Sequence, residues 1–168
     1  MNTCSVCIAT YNGEDYIENQ IKSILLQLES TDEIIIIDDF STDNTIRIIQ
    51  NFKDDRIKLI RNTCRLGHVK SFEKALIFAE KKLIFLSDQD DDWVEGRYQL
   101  MKTTLLETDA FLLSTNSTEY HLNNQLFNNK IKLHEKDSKN HIKNVINIFL
   151  GKANYFGCCM LIKKELLE

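Results

Sequence analysis

The stretch LIFLSDQDDDW, residues 83–93, decides how the rest of the chain is interpreted. Its first four residues are apolar and predict a short buried strand, which ends where the charges begin. Four carboxylates then fall within the five positions from Asp88 to Asp92. Carboxylates this close repel one another unless a cation or a set of hydrogen-bond donors compensates them. The stretch therefore favours a site for a hard divalent cation, Mg²⁺ or Mn²⁺, whose shell is completed by water and substrate phosphates.

An ordinary structural role is the alternative for these carboxylates. In that interpretation the run is a solvated acidic loop, and Asp91 or Asp92 faces the N-terminus of the next helix, where negative charge is stabilised. The run by itself does not decide between the two interpretations.

The composition is that of one soluble globular domain. A chain of 168 residues with 43% hydrophobic and 27% charged residues can build a core, and we expect a single domain over 1–168. The net charge of −4 offers no basic surface for a nucleic-acid polymer. No apolar run approaches the roughly 20 residues that cross a bilayer, and the first residues lack a signal-peptide pattern, so we expect a cytoplasmic protein.

Five cysteines in such a protein indicate reduced thiols. Cys4 and Cys7, which point to opposite faces of a strand, are expected in the core.

Strand and helix patterns alternate through the first half of the chain. Short apolar runs predict strands at 5–9, 34–37, 57–60 and 83–86. Apolar residues at helical spacing predict amphipathic helices over 17–28, over 46–52 with Ser41 as N-cap, and over 69–79 with Val69 on the apolar face. This alternation implies right-handed crossovers and an α/β fold with a mainly parallel sheet flanked by helices.

The second half of the chain is less regular. It predicts a helix over 100–106, strands at 110–114, 117–122 and 158–162, and a short helix over 142–150. The segment 123–141 is rich in Asn and Lys and poor in apolar residues, so we expect a mobile loop there. The residues after 162 begin another helix, and we expect the natural polypeptide to continue beyond it.

The predicted topology gathers four polar loops at one edge of the sheet. In an open α/β sheet, ligands bind at the carboxyl ends of the strands, near the point where the strand order reverses. This edge brings Asp39 toward Asp88 and Asp90, although about fifty residues separate them in sequence. The convergence favours a binding site over a solvated loop. The loops are Thr10 to Gly13, Asp38 to Ser41, Arg61 to Gly67 and Ser87 to Asp92.

Five motifs in order along the chain resemble the inverting glycosyltransferases of family 2, and within them the bacterial rhamnosyltransferase-like group. The motifs are VCIATYNG (6–13), IIIDDFSTDNT (35–45), LGHVKSFEKAL (66–76), FLSDQDDDW (85–93) and, more weakly, YFGCCMLI (155–162). The resemblance implies the GT-A fold, which is Rossmann-like. It also implies transfer of a sugar, with inversion, from a UDP- or dTDP-sugar to a glycan or lipid-linked acceptor in bacterial cell-surface polysaccharide biosynthesis. Such an enzyme works in the cytoplasm, and peripheral association with the inner face of the membrane stays open.

The resemblance assigns roles to individual residues. The turn Thr10, Tyr11, Asn12 and the acid Asp39 would hold the nucleoside. The DxD-type motif maps to Asp88, Gln89 and Asp90, in which Asp88 would face the ribose and Asp90 would ligate the Mn²⁺ or Mg²⁺ that bridges the phosphates. A bound cation stabilises the charge that the leaving nucleoside diphosphate gains. Lys70 would approach the phosphates, although an exposed helix lysine is an equal alternative.

Asp39 also predicts which base is preferred. A carboxylate only accepts hydrogen bonds, and the N3–H of uracil or thymine is a donor that it can meet. We therefore expect pyrimidine nucleotides to bind more tightly than guanosine nucleotides.

Two departures from the family pattern leave other functions open. Ser71 stands where relatives commonly have Asn, and no carboxylate after Ile162 matches the family's catalytic base, since Glu165 and Glu168 lie in the start of the predicted final helix. We therefore expect poor sugar transfer by these 168 residues alone. The alternatives are a catalytically incomplete nucleotide-sugar binder and a metal-binding signalling domain of the receiver type. A receiver would place acids after the first strand, where Tyr11 and Asn12 stand.

Overall fold

The computed structural model describes residues 2–115 and 159–167. These residues form one open sheet with helices on both faces. The strands are β1 (Cys4–Thr10), β2 (Glu33–Asp38), β3 (Ile57–Arg61), β4 (Leu83–Asp88), β5 (Leu112–Ser114) and β6 (Met160–Lys163). The helices are α1 (Ile17–Leu25), α2 (Thr45–Asn51), α3 (His68–Phe78) and α4 (Arg97–Leu106), and a 3₁₀ turn follows β6 at Lys164–Leu166.

The sheet is mainly parallel, as the sequence predicts. Its strand order is β3-β2-β1-β4-β6-β5. The first four strands in this order are parallel to one another, whereas β6 runs antiparallel to both of its neighbours. The chain leaves β1 toward β2 on one side and returns to β4 on the other. The strand order therefore reverses at β1, and the carboxyl end of β1 is where a ligand is expected in such a sheet.

The core is divided between the two faces of the sheet. On one face, alternate residues of β1 and β2 pack against α1, α2 and α4, and on the other face they pack against α3. The four isoleucines of β2, 34–37, are fully buried and alternate between the two clusters, as expected for a parallel strand covered on both sides. Cys4 and Cys7 also lie in opposite clusters, which confirms their prediction as core cysteines. Burial raises the pKa of each of these two thiols to about 12.

Three helix predictions need correction. Ser41 does not cap α2, because the helix begins at Thr45 and the Ser41 hydroxyl accepts a hydrogen bond from the Asn12 amide instead. In α3 the buried residues are Ser71 and Ala75, whereas Val69 is 58% exposed. After β6 the chain forms only a 3₁₀ turn in the described residues. The predicted strand at 117–122, the loop at 123–141 and the helix at 142–150 lie outside the described residues.

Candidate functional site

The turn after β1 is the centre of the polar edge. Its first residues contact the loop after β4, because Gln89 Oε1 accepts hydrogen bonds from Thr10 Oγ1 at 2.7 Å and from the Tyr11 amide at 2.9 Å. Its later residues contact the loop after β2, because the Asn12 amide donates to Ser41 Oγ at 2.9 Å. The structure thus brings Thr10, Tyr11, Asn12 and Gln89 together, as predicted. Gln89 makes contacts within the protein, and its role toward a nucleotide stays a prediction.

Gly13 permits the close approach of the two loops. A Cβ at this position would lie 2.5 Å from Gln89 Oε1 and 3.0 Å from Thr10 Oγ1. Both distances are shorter than ordinary packing allows, so any larger residue would push the Gln89 amide away from the turn. The Gly13 amide also donates to Thr45 Oγ1 at 2.8 Å, which ties the same residue to the start of α2.

Asp39 anchors the loop between β3 and α3. Its side chain is 3% exposed, and its Oδ1 accepts from Asn62 Nδ2 at 2.9 Å and from the Leu66 amide at 2.8 Å. Its Oδ2 accepts from the Gly67 amide at 2.8 Å. The Asp39 amide donates to the carbonyl of Thr10, which places this carboxylate beside the central turn.

The electrostatics of Asp39 follow from these contacts. Burial opposes its ionisation, but the hydrogen bonds from Leu66, Asn62, Gly67 and Ser71 together hold the pKa of Asp39 below its ordinary value. The carboxylate is therefore charged at neutral pH and accepts hydrogen bonds only, which is the state that the nucleobase prediction requires.

Two residues in and beside this loop were not predicted from the sequence. Asn62 is buried, and its Nδ2 donates to Ser71 Oγ at 3.1 Å as well as to Asp39. An amide from the loop thus contacts the side chain of Ser71 directly. Arg65 places its guanidinium carbon 4.1 Å from the centroid of the Tyr11 ring, which is a cation–π contact. Pattern analysis could not find either residue, because neither belongs to a periodic element.

The acidic run after β4 does not cap a helix. Helix α4 begins at Arg97, its N-cap is Gly96 in a left-handed conformation with φ of 80°, and no side chain caps it. The interpretation of Asp91 or Asp92 as a cap is therefore wrong. In this run Asp90 and Asp92 are exposed, whereas Asp88 and Asp91 are half-buried.

The donor set of this run fits a hard cation that is bound partly by substrate. Among residues 2–115 and 159–167, no group of three or more His, Cys, Asp or Glu side chains could enclose a metal ion. Mg²⁺ and Mn²⁺ do not need such a cage, since they are commonly held by one or two carboxylates together with water and substrate phosphates. An exposed carboxylate, Asp90, and a half-buried one, Asp88, at the end of β4 satisfy this requirement.

Lys70 does not join the other predicted residues. Its Nζ contacts Glu73 Oε2 at 2.6 Å on the same helix, and both side chains are more than half exposed. Lys74, one turn further along α3, instead reaches the loop and donates to Asn62 Oδ1 at 2.8 Å. The role of Lys70 toward the phosphates stays a prediction.

The comparison with protein families identifies the chain. The model described as Glycosyl transferase family 2 matches residues 5–168. The chain belongs to glycosyl transferase family 2. The match includes all five motifs, and it decides against the receiver-type signalling domain.

Curated relatives of this family member are bacterial glycosyltransferases. It is 30% identical over 167 residues to the dTDP-rhamnosyl transferase RfbG of Shigella flexneri, a match that covers 95% of this chain and 55% of that protein. It is also 30% identical over 112 residues to the UDP-Glc:alpha-D-GlcNAc-diphosphoundecaprenol beta-1,3-glucosyltransferase WfgD of Escherichia coli, which covers 67% of this chain and 44% of that protein. The chain thus spans about half the length of these relatives.

Solved structures share the GT-A architecture of this family member. S. aureus TarS 1–349 in complex with UDP-GlcNAc superposes with a TM-score of 0.63 and 26% identity, covering 67% of this chain and 33% of that one. The mannosyltransferase PcManGT of Pyrobaculum calidifontis, in complex with GDP-Man and Mn²⁺, superposes with a TM-score of 0.70. That match covers 98% of this chain and 45% of that one, and at 20% identity it shows the fold alone.

Across the described ranges 2–115 and 159–167, no helix has both the length and the apolar character needed to cross a bilayer.

Proposed function

We propose that the carboxyl edge of this sheet binds a nucleotide-sugar, UDP- or dTDP-linked, together with Mn²⁺ or Mg²⁺. The chain would be the donor-binding part of an inverting glycosyltransferase that acts on a glycan or lipid-linked acceptor in cell-surface polysaccharide biosynthesis. The names of RfbG and WfgD support these donor and acceptor classes. We place the reaction in the cytoplasm at the inner face of the membrane, where a lipid-linked acceptor would be reached.

One observation carries this proposal: the turn Thr10 to Gly13 is hydrogen-bonded to two acidic loops. One is the loop after β2, Asp38 to Ser41, and the other is the acidic turn after β4, Asp88 to Asp92. Asp39 donates its amide to Thr10, and Gln89 accepts from Thr10 and Tyr11. Asp39, which only accepts hydrogen bonds, thus lies on one side of the turn Thr10 to Gly13. The acidic turn with the exposed carboxylate of Asp90 lies on the other side, at the switch point of the sheet. A nucleoside and a diphosphate need such neighbouring but different surroundings.

The residues would divide the work between base and phosphates. The Asp39 carboxylate would accept the N3–H of a pyrimidine, beside the ring of Tyr11. Asp88 would face the ribose, and Asp90 would hold the cation. When bound, the cation supplies positive charge to the diphosphate, which leaves more easily as its developing charge is stabilised.

A binding screen tests the proposal. The chain is titrated with UDP-, dTDP- and GDP-sugars by calorimetry, once with Mn²⁺ and once with EDTA. We expect heat from the uridine and thymidine donors, strengthened by Mn²⁺, and at least about tenfold weaker binding of the guanosine donors, from the loss of one matched hydrogen bond to a charged group. Equal binding of all three donors with and without Mn²⁺ would contradict the proposal.

A further inference from the structure

A polar stripe on α1 packs against the segment that contains the acidic turn. Its members are Gln20, Ser23 and Gln27, which are spaced three and four residues apart and therefore lie on one side of the helix and of the turn that continues it. The apolar residues of α1 pack against the sheet. The stripe instead contacts the segment from the end of β4 to the start of α4.

The stripe holds both ends of the turn that carries Asp90. At the first end, Gln20 Nε2 donates to the carbonyl of Asp88 at 2.9 Å and also to Ser87 Oγ. At the second end, Ser23 Oγ accepts from the Trp93 amide at 3.0 Å.

Beyond the acidic turn, Gln27 continues the same contact. Its Nε2 donates to the carbonyls of Trp93 at 3.3 Å and Val94 at 3.1 Å. Its Oε1 accepts from the Tyr98 amide at 3.2 Å. Side chains of α1 and of the turn that continues it thus bind the connection between β4 and α4 near both of its ends.

The burial of Gln20 means that its amide needs these hydrogen bonds. Gln20 is fully buried, and burying a side-chain amide costs free energy unless the amide is hydrogen-bonded. An apolar side chain would fill this position without that cost. The Ser87 hydroxyl accepts from Gln20 and also from the Trp93 indole at 3.2 Å, so Gln20 and the indole meet at one atom beneath the turn.

We propose that Gln20, together with Ser23 and Gln27, positions the acidic turn so that the Asp90 carboxylate is presented to the cation and the diphosphate. This inference rests on the proposed function. Metal ligands need supporting groups that fix their orientation, and an exposed carboxylate in an untethered turn would lose conformational entropy on binding. Gln20 touches neither nucleotide nor cation in this account, and it is a positioning residue.

The test uses Gln20→Met, which retains length and removes the hydrogen-bonding amide. The matched control is Asn19→Ala, on the exposed side of the same helix. Three quantities are measured for each variant: the free energy of unfolding in urea, the UDP affinity in EDTA, and the Mn²⁺ concentration that gives half of the increase in UDP affinity. The chain has one tryptophan, Trp93, which is 4% exposed, so its fluorescence without metal reports on the turn directly.

For folded Gln20→Met we expect a red-shifted Trp93 emission, a UDP affinity in EDTA within about twofold of wild type, and a half-saturating Mn²⁺ concentration raised about tenfold. Asn19→Ala should match wild type throughout. An unchanged Mn²⁺ requirement in folded Gln20→Met would overturn the inference, as would an equal loss of UDP affinity with and without Mn²⁺.

Two further variants keep the test decisive if Gln20→Met does not fold. Ser23→Ala alters a half-buried residue at the second end of the turn, and Gln27→Met alters one that binds the segment just beyond it. Each should raise the Mn²⁺ requirement about threefold, as expected for the loss of one ordinary hydrogen bond. Wild-type values for both would contradict the inference. A wild-type chain whose UDP affinity does not respond to Mn²⁺ would overturn the proposed function itself, whereas a wild-type response with unchanged variants overturns this inference alone.

Discussion

Two strands of this protein end in acids, and the two acidic ends are used differently. After β2, Asp38 and Asp39 are buried, and Asp39 accepts three N–H hydrogen bonds from the loop before α3. After β4, Asp90 and Asp92 are exposed in a turn whose ends are held by α1. The sequence signal is the same in both places. Donors from the loop before α3 make the first end an anchor, whereas Asp90 and Asp92 at the second, open end are exposed to solvent.

The largest effect on stability is expected at the anchored end. Asp39→Ala removes the acceptor of the Leu66 and Gly67 amides and of Asn62 Nδ2, so these donors lose a charged partner. We expect a loss of about 3 kcal/mol in the free energy of unfolding, measured by urea denaturation. Asp92→Ala at the open end is the control, and it should change stability by less than about 0.5 kcal/mol. Similar losses at both ends would remove the distinction between them.

Base selectivity separates the anchoring role of Asp39 from its binding role. Asp39→Asn keeps the size of the side chain but replaces one carboxylate oxygen with an NH₂ donor, so the N3–H of uracil would meet either a donor or an uncharged, weaker acceptor. We expect UDP affinity to fall by about 1–3 kcal/mol, while GDP affinity changes little. Calorimetry with both nucleotides measures the ratio. A parallel loss for UDP and GDP would show that Asp39 only supports the loop.

Gly13 lies in the turn that contacts both acidic loops, the one after β2 and the one after β4. The Cβ of Gly13→Ala would meet Gln89 Oε1 and displace it from Thr10 and Tyr11, and we expect a cost of about 1–2 kcal/mol in stability. Gln89→Ala removes the obstructing atom, so the double variant should be more stable than the sum of the single losses predicts. Urea denaturation of all four proteins completes the cycle. Strict additivity would mean that the two loops do not meet at this glycine.

The smallest expected effect is a dependence on pH. The pKa of Asp39 is lower in the folded protein than in the unfolded chain, so its stabilisation is complete above about pH 4 and is lost as the pH falls through the folded-state pKa. The difference in unfolding free energy between wild type and Asp39→Asn should therefore shrink between pH 6 and pH 3. A difference that stays constant over this range would argue against a charged anchor.

The sequence predicted the parallel sheet and most of its elements because their signals are local. Blocks such as the four isoleucines of β2 and the apolar spacing of α1 identify an element without knowledge of its neighbours. The convergence of the turn after β1 with the loops after β2 and β4 also followed, since strand topology dictates it.

The parts that could not be predicted depend on contacts between distant residues. Ser41 matches a helix N-cap by residue type, but its hydroxyl accepts a hydrogen bond from the amide of Asn12, 29 positions earlier in the turn after β1. Gln20 breaks the apolar pattern of α1, and only the structure shows that its partners are Ser87 and Asp88. Local propensity cannot distinguish a polar residue that faces solvent from one that holds another loop.

The central claim, that the open acidic turn holds a cation for a nucleoside diphosphate, is tested most directly by titrating UDP into Asp90→Asn and Asp92→Asn with and without Mn²⁺. Each change removes one negative charge from an exposed residue of the same run, so the two variants differ only in position. We predict that Asp90→Asn loses the Mn²⁺-dependent gain in UDP affinity, at least about tenfold, and that Asp92→Asn retains it. Retention of the full gain by Asp90→Asn, or equal losses in both variants, would contradict the account.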